Sequence, residues 1–221
     1  MTSTKITITI DQQKTWAIKI DDLDEADMDI SILPAYARDG GYQIADTIDA
    51  FLESKMIAGA SSSNKLGSAG SPIALTQDNI YQYMVQFHEK FRKSKVLMGG
   101  KNPFIVVSPE CETLMSLAPE VTEKSTVLGD KAIRQGDTTR VFAKFDVKVS
   151  TNIAADTNDV FSFVGGTNLG CTFGMKVNKI QRIPVLHDYF AQAIRALYYY
   201  GAQVIYSECL GVLYATCTIA S

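Results

Sequence analysis

The sequence predicts an α+β protein. Three features indicate this class: apolar and polar residues alternate near the N-terminus, a long amphipathic helical pattern follows, and the last third is rich in aromatic and β-branched residues. The chain has 221 residues, of which 46% are hydrophobic and 20% are charged. It is therefore long enough for one large domain or two small ones with a buried core.

The N-terminal segment shows the period-two alternation of half-buried strands. Two apolar runs carry it, and residues 11–14 between them predict either a hairpin loop or the solvated middle of one long strand. The alternating residues are Ile6, Ile8, Ile10, Trp16, Ile18 and Ile20.

An acidic segment follows, with six carboxylates in residues 21–29. A Ca²⁺ loop of the EF-hand type needs a central Gly and a terminal Glu, and both are missing at the required spacing. We expect a solvated approach to a helix.

The next pattern predicts a helix over residues 35–57. Ile44, Ile48, Phe51 and Leu52 recur at helical spacing and form one apolar face. Gly40 and Gly41 weaken the first turns, because each Gly costs about 1 kcal/mol relative to Ala. Residues 60–72 are small and polar, which indicates a mobile connector between two structural units.

A second helix is expected after the connector, with Thr76 as its N-cap. His88 lies beside its apolar stripe and is expected to be a packed or exposed ring, because no second ligand or carboxylate partner is spaced to orient it. The stripe consists of Ile80, Tyr83, Met84, Phe87 and Phe91.

Residues 104–107 predict a short buried strand, and Ser108 and Pro109 start the helix after it. A nucleophile elbow would need the glycines of GxSxG, which are absent, so Ser108 is interpreted as a cap. Residues 124–140 are expected to be a loop or flap.

Five further strands are expected in the second half of the chain. The alternation over 141–149 indicates one amphipathic strand, and residues 160–164 indicate another, closed by Gly165 and Gly166. The segment 165–170 lacks the Lys of a P-loop and the spacing of a dinucleotide fingerprint, so it is interpreted as a plain turn. Two long paired strands are expected over residues 173–183 and 191–206, and a final strand over 213–219.

Composition and spacing exclude several functional classes. Lys and Arg total 21 against 24 Asp and Glu, a formal charge of −3, which argues against a dedicated nucleic-acid binder. Four Cys without a CxxC pair, and two distant His, predict neither a zinc finger nor a disulfide framework and suggest a reducing compartment. No apolar stretch reaches the roughly 18 residues of a membrane span. The first residues also lack the apolar core of a signal peptide. We expect a soluble protein without a membrane partner.

No set of residues suited to catalysis is apparent. The carboxylates lie in solvated clusters or caps, the cysteines have no activating Lys or His nearby, and neither His88 nor His187 has a carboxylate at a helical offset. We expect no enzyme, with no catalytic, cofactor-binding or metal-binding residues.

Taken in order, five segments resemble a tailed-phage major capsid protein of the Hong Kong 97 fold. Residues 140–153 resemble the family's G-F-x-V-x-x-S-x-N element, with Lys144 where that element has Gly, and residues 200–204 resemble its Y-G-A-x-V strand. The segments are ITIDQQKTWAIKIDDLDEAD, TIDAFL, FIVVSPECETLM, FAKFDVKVSTNI and IRALYYYGAQVIYSE.

The resemblance implies three parts. Residues 1–26 would be a partial E-loop, the extended loop of the family. Residues 27–59 and 166–200 would be a peripheral domain with a spine helix and a long-stranded sheet, and residues 60–165 and 201–221 an axial domain. Family members usually carry an N-terminal arm and an outgoing E-loop strand before the segment that opens here, so an N-terminally shortened form is implied.

The function implied is a non-catalytic, self-assembling head-shell subunit of a phage or prophage. Its partners would be copies of itself in pentamers, hexamers and a shell, with a scaffolding or portal protein and non-specifically contacted packaged DNA as further partners. It would lie in the virion, and in the host cytoplasm before assembly. The E-loop of one copy would cover the peripheral domain of the next, with Lys14, Trp16 and Ile18 as candidate inter-subunit contacts. Trp16 could instead pack within its own chain.

Two alternatives remain. One is a nanocompartment shell of the encapsulin type, which encloses a cargo enzyme. The other is a small α+β enzyme or ligand-binding protein, for which a cleft gathering His88, His187 or Asp188 would be expected.

Overall fold

The computed structural model describes residues 7–21, 33–96, 102–119, 141–153, 155–184 and 190–218. The acidic residues beyond Asp21, the loop 124–140, His187 and Asp188 lie outside these ranges. The chain divides into two compact units, one formed by Met1–Leu52 and Thr172–Gln203 and the other by Glu53–Cys171 and Val204–Ser221. The corresponding boundaries expected from the sequence were 59/60, 165/166 and 200/201.

The first unit is a three-stranded sheet covered by a helix. The elements are β1 (Gln12–Asp21), the helix α1 (Leu33–Gly59), β8 (Cys171–Ile183) and β9 (Ala191–Val204). The strand order is β1–β9–β8, and β1 runs antiparallel to β9 from the Gln12–Tyr200 pair to the Asp21–Ala191 pair. The predicted long helix and the two predicted long strands are confirmed.

The core of the first unit lies between α1 and β9. Ile44 and Ile48 of α1 are buried against Ala196 and Tyr200, and the Phe51 ring meets the Tyr200 ring edge-on with centroids 5.3 Å apart. The apolar face of α1 expected from its helical spacing is therefore the face that packs.

The second unit is built on a larger mixed sheet. The strands are β2 (Lys65–Leu66), β3 (Ile73–Leu75), β4 (Phe104–Val107), β5 (Val141–Phe142), β6 (Phe145–Val149), β7 (Phe161–Gly166) and β10 (Leu210–Cys217). They follow the order β2–β10–β7–β4–β6–β5 in the sheet, and β3 also pairs with β10.

Two helices supply the apolar side chains that cover this sheet. They are α2 (Ile80–Lys93) and α3 (Pro109–Leu117). Met84, Phe87 and Phe91 of α2 are fully buried in the core. The Ser108 hydroxyl accepts a hydrogen bond from the Cys111 amide at 3.4 Å, which confirms the predicted cap of α3. None of the helices in the described part of the chain has the length and apolar character needed to cross a membrane.

The prediction of a mobile connector over residues 60–72 is wrong. Asn64 is only 1% exposed, and its side-chain amide donates to the backbone carbonyls of Glu208 (2.6 Å) and Leu210 (3.3 Å). Lys65–Leu66 then forms β2 beside β10. Small polar residues form an ordered segment here because one buried amide and a strand partner satisfy the backbone.

The predicted bounds of the first strand and of the second helix are also wrong. No strand forms over residues 7–11, and residues 12–14 begin β1. Helix α2 begins at Ile80 rather than after a Thr76 cap, because Thr76 and Asn79 form a turn in which the Asn79 side chain accepts from the Thr76 amide at 2.9 Å.

Residues 141–149 form a hairpin rather than one strand. Ala143 (φ 47°) and Lys144 (φ 68°) make a two-residue turn between β5 and β6. Positive φ at both positions is the geometry of the tight turns that match strand twist.

Gly165 and Gly166 belong to strand β7 instead of closing it. Each pairs with both β4 and β10. A side chain at Gly165 would meet the Phe87 ring, so these glycines allow close packing inside the sheet.

Candidate functional site

The three candidate contact residues lie on β1, one of the two edge strands of the first unit's sheet. Lys14 is opposite Tyr198, Trp16 is opposite Ala196, and Ile18 is opposite Ile194 in the antiparallel register. Because alternate residues of a strand share a face, all three lie on one side of the sheet. Lys14 is exposed, whereas Trp16 and Ile18 are half-buried.

Trp16 packs within its own chain. Its indole ring lies so close to Gly40 of α1 that a side chain at Gly40 would overlap the ring atoms. The ring joins the core around Ile44 and Tyr200 as a half-buried member. The structure thus brings Trp16 and Gly40 together, a pairing that the sequence did not predict. A neighbouring copy would have only the remaining exposed part of the ring to cover.

Both outer strands of this sheet leave one edge open among the described residues. β1 pairs with β9 on one side only, and β8 likewise has β9 as its only strand partner. An open edge presents alternating backbone N–H and C=O groups that another strand can pair with. Lys14 and Lys19 line β1, and lysine on an edge strand discourages indiscriminate pairing.

Two exposed apolar residues near this sheet were missed by sequence reasoning. Phe190, just before β9, is 91% exposed, and Ile180 on β8 is 64% exposed. Side chains this exposed are accessible to another chain, and they mark an interface where they form one contiguous patch. The available signal was the single apolar Ile180 between Lys179 and Gln181, in a stretch that is otherwise polar.

The face of the sheet that carries the odd-numbered residues of β1 and β9 has a shallow groove of about 350 Å³. The Arg195 guanidinium lies across it and donates two hydrogen bonds to the Gln181 side-chain carbonyl, at 3.1 and 2.7 Å. The groove is lined by Gln13, Thr15, Trp16, Ala17, Lys179, Gln181, Arg195, Ala196 and Leu197. Since Arg195 and Gln181 satisfy each other, the groove offers no reactive group.

The second unit carries a polar cleft of about 740 Å³ beside α2. Asn64, which lines this cleft, uses its side-chain amide for hydrogen bonds within the fold. The amide nitrogen donates to the Glu208 and Leu210 carbonyls, and the amide oxygen accepts from the Ser94 hydroxyl at 2.7 Å. The Lys90 ammonium donates to the Ser63 carbonyl at 3.4 Å. These polar groups therefore stabilise the fold.

The titratable groups give no catalytic arrangement in the part of the chain that the structure describes. Ser108 is buried and used as a cap. A hydrogen bond with the Cys217 thiol, followed by burial, raises the pKa of Cys111 well above its usual range, so this thiol is not an activated nucleophile. No group of three or more His, Cys, Asp or Glu in the described ranges could hold a metal ion.

His88 lies in the second unit, where the sequence placed it beside the apolar stripe of α2. Its ring meets the Phe145 ring edge-on, with centroids 5.5 Å apart. Burial, together with the positive charges of Lys144 and Arg92, lowers the pKa of His88. The charged groups that act on His88 are therefore cations, whereas a histidine that serves as a general base is usually oriented by a carboxylate.

The three-dimensional structure is similar to solved assemblies over nearly the whole chain. A structure from Mycobacterium phage Che8 is 20% identical, with a TM-score of 0.74, over 96% of this chain and 76% of that one. The capsid structure of cyanophage P-SCSP1u is 15% identical, with a TM-score of 0.72, over 97% and 78%. The holo-SrpI encapsulin complex from Synechococcus elongatus is 11% identical, with a TM-score of 0.55, over 95% and 76%. No protein-family model matches the sequence, and no curated protein does.

Proposed function

We propose that this chain, which has the fold of the tailed-phage capsid proteins, is a non-catalytic structural subunit that assembles with copies of itself into a phage or prophage head shell. One observation carries the proposal: the similarity to capsid structures extends through both compact units rather than one. A match to one unit alone would support only a shared domain, whereas these matches cover 96% and 97% of the chain.

The parts of the family fold can be assigned on this basis. We propose residues 1–26 as a partial E-loop, residues 27–59 and 166–200 as the peripheral domain, and residues 60–165 and 201–221 as the axial domain. The helix-covered three-stranded sheet of the first unit and the larger sheet of the second unit support two such domains.

We further propose that the sheet of the first unit is an assembly surface. Lys14, Trp16 and Ile18 on β1 are candidate contacts, and the open edges and exposed Phe190 support an interface there. A head-to-tail contact between unlike patches closes into rings and shells when its rotation closes. Pentamers and hexamers are the expected rings.

Other partners follow from the same function. A head shell would contact a portal or scaffolding protein and would touch packaged DNA without reading its sequence. The subunit would lie in the virion after assembly and in the host cytoplasm before it.

A nanocompartment shell is the second candidate function. The similarity to the encapsulin complex favours it, although its TM-score of 0.55 is below the 0.74 and 0.72 of the phage structures. In that case the lumen would enclose a cargo protein.

Mass in solution tests the proposed function. Light scattering coupled to size exclusion, over a range of protein concentrations and salt, is expected to give rings of five or six chains or larger shells. Electron microscopy of the heaviest fraction would check the shape. A monomer at every concentration would contradict self-assembly of this chain, and closed shells purified around an enzyme would favour the nanocompartment.

A further inference from the structure

We propose that the second unit contains a binding pocket for a phosphate group, formed by His88 and Arg92 of α2 and by Lys144 of the β5–β6 turn. These residues surround a cleft of about 430 Å³ on the exposed side of α2. The pocket lies within a single copy of the chain, so it would bind phosphate whether or not the chain assembles.

The cationic groups converge because of helical and hairpin geometry. Tyr81, Val85, His88 and Arg92 are spaced by four, three and four residues, so they form one stripe along α2. The turn of the hairpin places Lys144 at the same cleft. An imidazole, a guanidinium and an ammonium thus face one space, and each can donate a charged hydrogen bond to an oxyanion.

Aromatic contacts hold the two sides of the cleft together. Phe142 and Phe145 flank the turn, pair with each other across the hairpin and are buried. The Phe142 ring meets the Tyr81 ring edge-on at 5.7 Å, and the Phe145 ring meets His88 in the same way. The pocket is therefore preorganised before a ligand arrives, which reduces the entropy lost on binding.

The tight turn places Lys144 in a backbone conformation that residues other than glycine adopt at some cost. Ala143 and Lys144 both have positive φ, where Gly or Asn is the favoured residue. A long cationic side chain in this conformation costs stability and projects into the cleft. Strained positions of this kind cluster at ligand-binding sites.

The charges around the cleft leave a net positive site. Lys144 and Arg92 make no ion pair with a carboxylate among the residues that the structure describes. Glu89 also lines the cleft, but its carboxylate accepts from the Lys93 ammonium at 2.9 Å, which offsets its charge. An oxyanion would supply the missing countercharge. Phosphate is favoured over a carboxylate because its charge approaches −2 near neutral pH and its oxygens point in several directions, which suits donors on three sides.

Binding should depend on pH through His88. The facing groups are Lys144 on the turn and Arg92 and Glu89 on α2, and burial together with the two cations holds the pKa of His88 below its usual value. A bound dianion would raise that pKa. Phosphate itself takes up a proton in this pH range, which weakens its attraction to any cation. Relative to His88→Gln, which shares that effect, the affinity of the parent chain should increase as the pH falls toward and below about 6.5, the unperturbed His value.

The test titrates the folded chain with inorganic phosphate and follows the imidazole resonances by NMR, with His88→Gln to assign the His88 signal. We expect saturable shifts of the His88 signal, an affinity advantage over His88→Gln that grows at lower pH, and affinity reduced about tenfold in Lys144→Gln through the loss of one charged hydrogen bond. Lys148→Gln on strand β6 is the charge-matched control, because Lys148 is exposed but does not line the cleft. It should bind like the parent chain.

Lys144→Gly separates binding from folding. This variant relieves the strained turn, so its melting temperature should be at least that of the parent chain while its phosphate affinity falls. Lower affinity together with a lower melting temperature would attribute the loss to misfolding and overturn the proposal.

Further titrations identify the source of the phosphate. A short single-stranded DNA that binds with the same dependence on Lys144 would assign the pocket to a nucleic-acid backbone, whereas binding of inorganic phosphate alone would assign it to a free anion. Equal weakening by Lys144→Gln and Lys148→Gln would indicate diffuse attraction and overturn the pocket. So would acetate binding as tightly as phosphate, because the ligand would then be a carboxylate.

Discussion

Cys111 shows how local surroundings determine the chemistry of one residue. It lies in the first turn of α3 and is fully buried. A hydrogen bond with the Cys217 thiol raises its pKa. Only the thiolate is a strong nucleophile, so a raised pKa lowers the reactive fraction at neutral pH.

We predict that Cys111 resists alkylation in the folded chain. Iodoacetamide at neutral pH should label Cys111 far more slowly than Cys171, which is half-buried, and unfolding in denaturant should remove the difference. Mass spectrometry of the labelled peptides measures both sites in one sample. Equal native labelling rates would contradict a buried, hydrogen-bonded Cys111 thiol.

Single residues also show why one turn was not predicted. The alternation over residues 141–149 continues through Ala143 and Lys144, and neither residue signals a tight turn as Asn-Gly would. The structure departs from the pattern because Phe142 and Phe145 are both buried on the same side of the hairpin. Packing of two aromatic rings outweighed local backbone preference at this site.

At the scale of elements, the packing of β1 on α1 depends on the absence of a side chain at Gly40. A side chain at Gly40 would overlap Trp16, whereas one at Gly41 would meet no atom within 4 Å. These neighbouring glycines of one helix provide a matched pair of sites for substitution.

We predict opposite effects for Gly40→Ala and Gly41→Ala. The first should destabilise the fold by about 1–3 kcal/mol through overpacking, and the second should stabilise it by up to about 1 kcal/mol through helix propensity. Denaturant unfolding followed by the fluorescence of Trp16, the single Trp of the chain, measures both. Equal effects would show that Trp16 does not pack on Gly40.

The elements predicted correctly are those that a local sequence pattern determines. Helical spacing predicted the apolar face of α1, and cap chemistry predicted the role of Ser108. Length and β-propensity predicted the strands β8 and β9. The ordered segment 60–72 did not, because its structure depends on Asn64 bonding to carbonyls about 145 positions later in the chain. No local composition signals such a partner.

At the scale of the whole molecule, the fold was predictable but the surface on which it would assemble was not. Order and spacing of five segments indicated the capsid fold, and Lys14, Trp16 and Ile18 were chosen as contacts from their position on an expected free strand. In the structure Trp16 already packs on α1. Solvent exposure in the structure instead indicates Phe190, which is 91% exposed, as a candidate contact.

We predict that Phe190→Ser weakens self-association without changing the stability of the single chain. An exposed ring contributes little to folding, so the free energy of unfolding should change by less than about 0.5 kcal/mol. A central aromatic contact is worth about 2 kcal/mol or more in an interface, so association should weaken by at least about tenfold. Light scattering over a concentration series measures the second effect.

Tyr42→Ser is the control for that experiment, because Tyr42 is an exposed aromatic residue on α1 of the same unit, with 68% exposure. It lies on the helix rather than on a strand edge, so this variant should associate like the parent chain. If both variants weaken association equally, general loss of apolar surface is responsible. If neither does, Phe190 is not a central contact between copies, and the contact must be made by other residues.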